Sequence, residues 1–169
     1  MDENHQIDIV DENDNVVGQA TKEEKFAKEL ISRNVVAFIK NKKGELIVVK
    51  RSPKKRSWPN RLDLATCGNV DAGESYEEAI KREVLEEIGI ECKLKFIKKL
   101  FNDVIENGKH VRYFTGVFAG ATDEKPVLSD ELLELKYIKI DKLKKHMSGK
   151  PDDFSPSFIS ELMEIGDLV

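Results

Sequence analysis

Residues 75–89 constrain the fold more than any other stretch, because they carry a helix start signal, a stop signal and an apolar stripe between them. Ser75 with Glu78 three residues on is a capping box, in which each side chain satisfies a backbone N–H left open at a helix start. Gly89, directly after Ile88, tolerates the left-handed conformation that closes a helix. At about 100° per residue, Tyr76, Ile80, Val84 and Ile88 fall on one face, with Ala79 at its margin. A helix over 75–88 is therefore expected, packed by that stripe against a sheet.

Strand patterns surround it. IDIVDENDNVVGQA reads as two strands about an Asp/Asn turn, and NVVAFIKNKKGELIVVKR as a second β-branched hairpin. LDLATCGNV alternates like a strand up to Gly68. ECKLKFIKKLFNDVI and KHVRYFTGVFAG form a third pair around a turn at 106–108, and LELKYIKI is one strand more. Thr21 with Glu24 forms another capping box, and Phe26, Leu30 and Ile31 extend a helical stripe, so a helix is expected over 22–32. A short helix near 141–146 and a last one capped by Ser155, with Pro156 in its first turn, complete a chain with a mixed or largely antiparallel sheet. No linker or repeat interrupts it, and residues 1–169 are expected to form one domain.

Composition narrows the function. A net charge of −4 from 28 basic and 32 acidic residues gives no general attraction to nucleic acid or to an anionic membrane. No run approaches the roughly 20 apolar residues of a membrane span, and MDENHQIDIV has no signal-peptide pattern, so the cytoplasm is the expected location. Cys67 and Cys92 lack metal-type spacing and are expected as separate thiols, and the three histidines are too scattered for a zinc cluster.

The chemistry resides on the helix. Glu83, Glu86 and Glu87 occupy roughly a 100° arc that overlaps the edge of the apolar stripe instead of lying opposite it. Clustered glutamates ordinarily mean a solvated face, but carboxylates crowded beside a core repel one another unless a cation neutralises them. Arg82, four residues before Glu86, is the lone base within the cluster and cannot balance three acids. A hard divalent cation, which prefers carboxylate and carbonyl oxygens, can.

The run GNVDAGESYEEAIKREVLEEIGI, residues 68–90, resembles the signature box of the Nudix family: Gly, five residues, Glu, seven residues, Arg-Glu, aliphatic, any, Glu-Glu, any, Gly, aliphatic. Every fixed position matches. The resemblance implies an α/β fold with a mixed β-sheet sandwiched between helices, and Mg²⁺, with Mn²⁺ as substitute, assisting attack of water on phosphorus. It implies Glu83, Glu86 and Glu87 as metal ligands, the Gly68 carbonyl as a further one, Arg82 orienting Glu83, and Glu74 bonding within the loop. A diphosphate resists nucleophiles through its charge, which a bound metal offsets. Glu83, or Glu131 in the late acidic loop, can then take the proton.

VVKRSPKKRSWPNRLDLATCGNV, the opening DIVDENDNVVGQAT and the closing DDFSP are similar to the isopentenyl-diphosphate isomerase-like branch of that family. This likeness implies that Arg51 and Lys55 contact a diphosphate and that Trp58 lines the pocket; from the residues alone, SPKKRSW also reads as an exposed basic turn. Isomerases of this branch use a cysteine and a glutamate, with a second metal held by histidines and glutamates. Cys67 matches the cysteine, but Asn34 and Asn69 stand at histidine positions and His110 and Arg112 at glutamate positions. Arg82, Glu86 and Glu87 are intact. Expected is hydrolysis of a phosphoanhydride bond in a nucleoside-diphosphate-linked or other small diphosphate, by a monomer or homodimer without nucleic-acid or membrane partners. The alternatives are an isomerase with altered ligands and a non-catalytic ligand-binding module.

Overall fold

The computed structural model describes residues 5–55, 57–127 and 132–169. In chain order the elements are β1 (Gln6–Val10), β2 (Val16–Thr21), α1 (Lys22–Ala27), β3 (Ile31–Lys40), β4 (Leu46–Arg51), β5 (Leu62–Leu64), β6 (Thr66–Asn69), α2 (Tyr76–Ile88), β7 (Leu94–Glu106), β8 (Lys109–Ala121), β9 (Leu132–Ile138), α3 (Ile140–Gly149) and α4 (Pro156–Ile165). All three expected hairpins are present. The β7–β8 turn places Asn107 at φ 53° and Gly108 at φ 77°, the left-handed pair that a tight two-residue connection needs.

β3 organises the sheet. It runs parallel to β8 from Ile31 opposite Arg112 to Lys40 opposite Ala121. Its other edge is shared by β1, then by β6 from Asn34 opposite Asn69 to Ala37 opposite Thr66. The β3–β4 hairpin pairs at Lys40 and Leu46 and then forks, because β4 takes β5 and β9 as neighbours. Ala65 alone separates β5, which belongs to one prong, from β6, which belongs to the other.

Strand alternation fills two cores. Val35, Ala37, Ile39, Ile47 and Val49 pack with Ala79, Ile80, Val84 and Ile88 of α2. Val36, Phe38, Leu46 and Val48 pack on the opposite face with Leu143 and Met147 of α3 and Phe158, Leu162 and Ile165 of α4. The mixed sheet is thus sandwiched between helices, as the family resemblance implied.

Two helix boundaries differ from expectation. The first helix ends at Ala27, not at residue 32, and none of its residues is buried. Glu29 adopts φ 52°, and Ile31 and Ser32 instead enter β3, where Ile31 pairs with Val10 on one side and Arg112 on the other. Two strand neighbours outweigh a short stripe with no surface to cover. The penultimate helix is longer than the expected 141–146, at Ile140–Gly149. Both cysteines are free, and no helix among the described residues is long and apolar enough to cross a membrane.

Candidate active site

α2 begins and ends as its sequence dictates. The Ser75 N–H donates to Glu78 Oε2 at 2.9 Å, the Glu78 N–H donates to Ser75 Oγ at 3.2 Å, and Gly89 closes the helix at φ 63°. Tyr76 lies over Gly116 of β8, where a β-carbon would sit 2.6 Å from its ring, so the glycine lets the helix approach the sheet.

The polar rim of α2 meets the outer edge of β6. The Cys67 N–H donates to Glu87 Oε2 at 3.0 Å, and the Asn69 carbonyl accepts from Arg82 Nη2 at 3.0 Å. Gly68 stands opposite Val35, and the Val70 N–H donates to the Arg33 carbonyl, so in this strand the main-chain N–H and C=O of Gly68 and Val70 point to β3 while those of Cys67 and Asn69 point to the α2 rim. An exposed strand edge is thereby satisfied by side chains of a helix. Gly68 serves sterically as well, since a β-carbon there would fall 1.9 Å from the Glu83 carboxyl carbon.

Arg82 ties the rim together. Its Nε and Nη2 each donate at 2.8 Å to Glu74, and its Nη1 donates at 2.7 Å to Glu83 Oε1. Glu86 lies 3.4 Å from Nη1 and is exposed. Glu74 also accepts from the Asp71 N–H at 3.0 Å, closing the loop ahead of the helix. These hydrogen bonds, led by those to Glu74, hold the Arg82 pKa above its ordinary value and lower that of Glu74.

Glu83 and Glu87 behave differently. Burial raises the pKa of Glu83 despite Arg82 beside it. Burial pushes Glu87 up to about 8, aided by the charges of Glu83 and Asp63 and opposed by the Cys67 N–H and Lys55. Burial also raises the Cys67 thiol well above its usual range. Among the described residues, no three His, Cys, Asp or Glu side chains converge closely enough to grip an ion. The donor chemistry of desolvated carboxylates on one helix rim nevertheless fits a hard divalent cation, which removes the charge conflict that burial creates.

The basic loop after β4 approaches the same rim. Lys55 lies within electrostatic reach of Glu87 and Glu83, and burial lowers the pKa of its ammonium. Arg51 directs its guanidinium inward, with Nη1 on Asp63 at 3.0 Å and Nε and Nη2 on the Ser57 carbonyl at 3.2 and 3.0 Å. Trp58 is 40% exposed and takes φ 50°, and the Arg61 guanidinium covers its ring at 4.8 Å. Glu131 lies outside the described residues. His110 pairs with Asp103, and Arg112 donates to the Glu29 carbonyl. Sequence reasoning missed Asp63, Tyr113 and Glu161. Glu161 had a signal, since it sits in the stripe Phe158, Leu162, Ile165 where an apolar side chain belongs.

A family model described as the NUDIX domain matches residues 30–158, and the chain belongs to the Nudix family. The chain is 29% identical over 152 residues to an isopentenyl-diphosphate Δ-isomerase of Photorhabdus laumondii, covering 89% of this chain and 86% of that one. It is 28% identical over 164 residues to a prenyl-diphosphate phosphatase of Methanosarcina mazei, covering 94% of both chains. A Nudix hydrolase of Deinococcus radiodurans is 42% identical over 85 residues, which span 50% of each chain. A solved structure from D. radiodurans superposes with a TM-score of 0.70 at 28% identity, over 85% of this chain and 89% of that one. The family, the branch and the fold class expected from the sequence are borne out, and the expected hydrolase class accords with these relatives.

Proposed function

We propose that this chain is a divalent-metal-dependent hydrolase that cleaves a phosphoanhydride bond in a small diphosphate, with Mg²⁺ as the resident ion and Mn²⁺ as a substitute. The observation that carries the reading is the pair Glu83 and Glu87 on one helix rim, two carboxylates whose pKa values burial raises, the first sharing Arg82 with Glu74 and the second held by the Cys67 N–H. Glu83, Glu86 and Glu87 would hold the ion. A main-chain carbonyl of β6 would complete the set, and the strand register favours that of Cys67 over that of Gly68. The ion supplies charge neutralisation of the diphosphate and acidification of a bound water.

The chain's own residues do the rest. Arg82 fixes the Glu83 carboxylate from one side while Gly68 leaves room for it on the other. Glu83, made more basic by burial, is a suitable proton acceptor for attacking water, and Glu131 remains a second candidate. The Cys67 N–H holds Glu87 in place, and Lys55 supplies positive charge for a phosphate. Arg51, engaged with Asp63 and Ser57, positions the basic loop, and Trp58 would line its mouth. Asn34 and Asn69 at histidine positions and His110 and Arg112 at glutamate positions, beside an intact Arg82, Glu86 and Glu87, favour hydrolysis over isomerisation.

The candidate substrates are nucleoside-diphosphate-linked compounds and, on the strength of the relatives' names, prenyl diphosphates. The test is a screen of phosphoanhydride hydrolysis over a diphosphate library with Mg²⁺ or Mn²⁺, with the phosphomonoester and phosphate products read by phosphorus NMR, using Glu87→Gln as control. The control should lose at least ~100-fold in rate. Equal turnover by both proteins would defeat the assignment.

A further inference from the structure

The α4-facing side of the sheet changes character along β3. Val36 and Phe38 belong to the core, but the next residues on that face are Asn34 and Ser32. Register carries the polar strip across the sheet. Thr115 stands opposite Asn34 and Tyr113 opposite Ser32 in β8, while Asn69 stands opposite Asn34 in β6. Over this end of the sheet lies Glu161, 3% exposed, on the same stripe of α4 as Phe158, Leu162 and Ile165.

This polar strip is not self-satisfied. Ser32 Oγ and Asn34 Oδ1 are buried without a hydrogen-bond partner among the described residues. No described residue donates a hydrogen bond to Glu161, whereas neighbouring Asp63 has Arg51, Ser155 and the Leu64 N–H. Folded proteins rarely leave buried atoms such as those of Ser32 and Asn34 unpartnered unless something else completes them. Glu161 lies within electrostatic reach of Tyr113 and Cys67. Cys67 links the two regions: its side chain packs on the α4 side, and its N–H holds Glu87 of the proposed diphosphate site.

We propose that Glu161, Asn34 and Ser32 form a specificity subsite that hydrogen-bonds the organic group carried by the diphosphate, so that this group bears hydroxyl or amino functions and is not a hydrocarbon. The inference rests on the diphosphate reading above. A prenyl chain over these atoms would leave them desolvated and unpaired, a penalty a polar group avoids, and sites built to hydrogen-bond reject isosteres that cannot. Glu161 and Asn34 therefore select against the prenyl compounds named for two of the relatives.

Calorimetric titration with non-hydrolysable probes in the presence of Mg²⁺ tests it: α,β-methylene-ADP and a ribosyl methylenediphosphonate as polar ligands, dimethylallyl methylenediphosphonate as the hydrocarbon, and methylenediphosphonate as the shared core. The wild type should bind at least one polar probe ~10-fold or more tighter than the dimethylallyl probe. Glu161→Leu, which replaces a buried carboxyl with an apolar side chain and whose thermal midpoint is checked, should cut the affinity ratio of polar probe to core at least ~10-fold. Glu161→Gln, which keeps hydrogen-bonding capacity, should restore most of that ratio. An unchanged ratio in Glu161→Leu, or tighter binding of the dimethylallyl probe by the wild type, overturns the subsite while leaving the diphosphate reading intact. Failure to bind even the methylenediphosphonate core overturns that reading and the subsite with it.

Discussion

α2 is anchored at two polar seams that use the same residue types to opposite effect. At its N-terminal end, Asp14 is a hub: Arg33 Nε and Lys99 Nζ both reach its carboxylate at 2.6 Å, and the Tyr76 hydroxyl donates to it at 3.2 Å. One acid there meets two bases, and the Asp14 side chain is 6% exposed. Along the helix rim, Glu74, Glu83 and Glu86 share Arg82, while Glu87 has the Cys67 N–H and, within electrostatic reach, Lys55. In the first seam the acid is fully paired, and the seam behaves as a lock. The second holds more acid than base, the place where the proposed cation would contribute.

Substitutions should separate lock from site. The largest effect is expected from Glu87→Gln, which should lower turnover at least ~100-fold while leaving the metal-free protein as stable as the wild type or more so, because a desolvated carboxylate is removed. Paired activity and urea-denaturation measurements check this, and loss of stability with retained turnover would make the rim a second lock. Gly68→Ala comes next. Its methyl group would displace the Glu83 carboxylate, so a rate loss of at least ~10-fold is expected with about 1–3 kcal/mol of destabilisation.

Asp14→Ala should show the opposite pattern. Stranding Arg33 beneath α2 should cost about 3 kcal/mol in denaturant unfolding, with the rate at saturating substrate retained at a temperature where the variant is folded. A collapse in rate with unchanged stability would reverse the roles of the two seams.

The smallest effect is a pH dependence. The folded-state pKa of Glu87 is about 8 against an ordinary 4.5, so its contribution to stability is fully present below about pH 4.5 and is lost as pH rises through 8. Glu83 and Glu161 shift in the same direction, so the diagnostic quantity is the difference between wild type and Glu87→Gln. In chelator, the thermal midpoint of the wild type should fall more steeply between pH 5 and pH 8.5 than that of the variant. Parallel curves would show that Lys55 and the Cys67 N–H already neutralise Glu87.

How much of this was legible depended on whether the cause was local. α2, its two caps and its buried stripe could be read directly, because capping boxes and a terminal glycine act within a few residues. The same logic failed at residues 28–32, where a capping box starts a helix correctly and tertiary pairing of Ile31 ends it early. The box supplied Glu83, Glu86 and Glu87 but not their surroundings: that the main-chain groups of Cys67 and Asn69 point to the α2 rim while those of Gly68 point to β3 follows from strand register, which no local pattern specifies. Asp63 and Tyr113 escaped notice because each looks ordinary within its strand and gains meaning only from elements distant in sequence. Glu161 was visible as an acid on an apolar stripe, and its significance emerged only once α4 lay over the polar end of the sheet.

The fork between β3 and β4 carries a consequence for how such a chain can vary. With Ala65 as the sole residue between two ladders, inserting or deleting one position between Leu62 and Cys67 would turn the side chains that follow it in β6 to the opposite face. Cys67 would then lose its N–H bond to Glu87 and its packing under α4 together. Length is frozen along this strap, so new ligand preferences must arise by exchanging side chains around it or by lengthening the loop between β4 and β5.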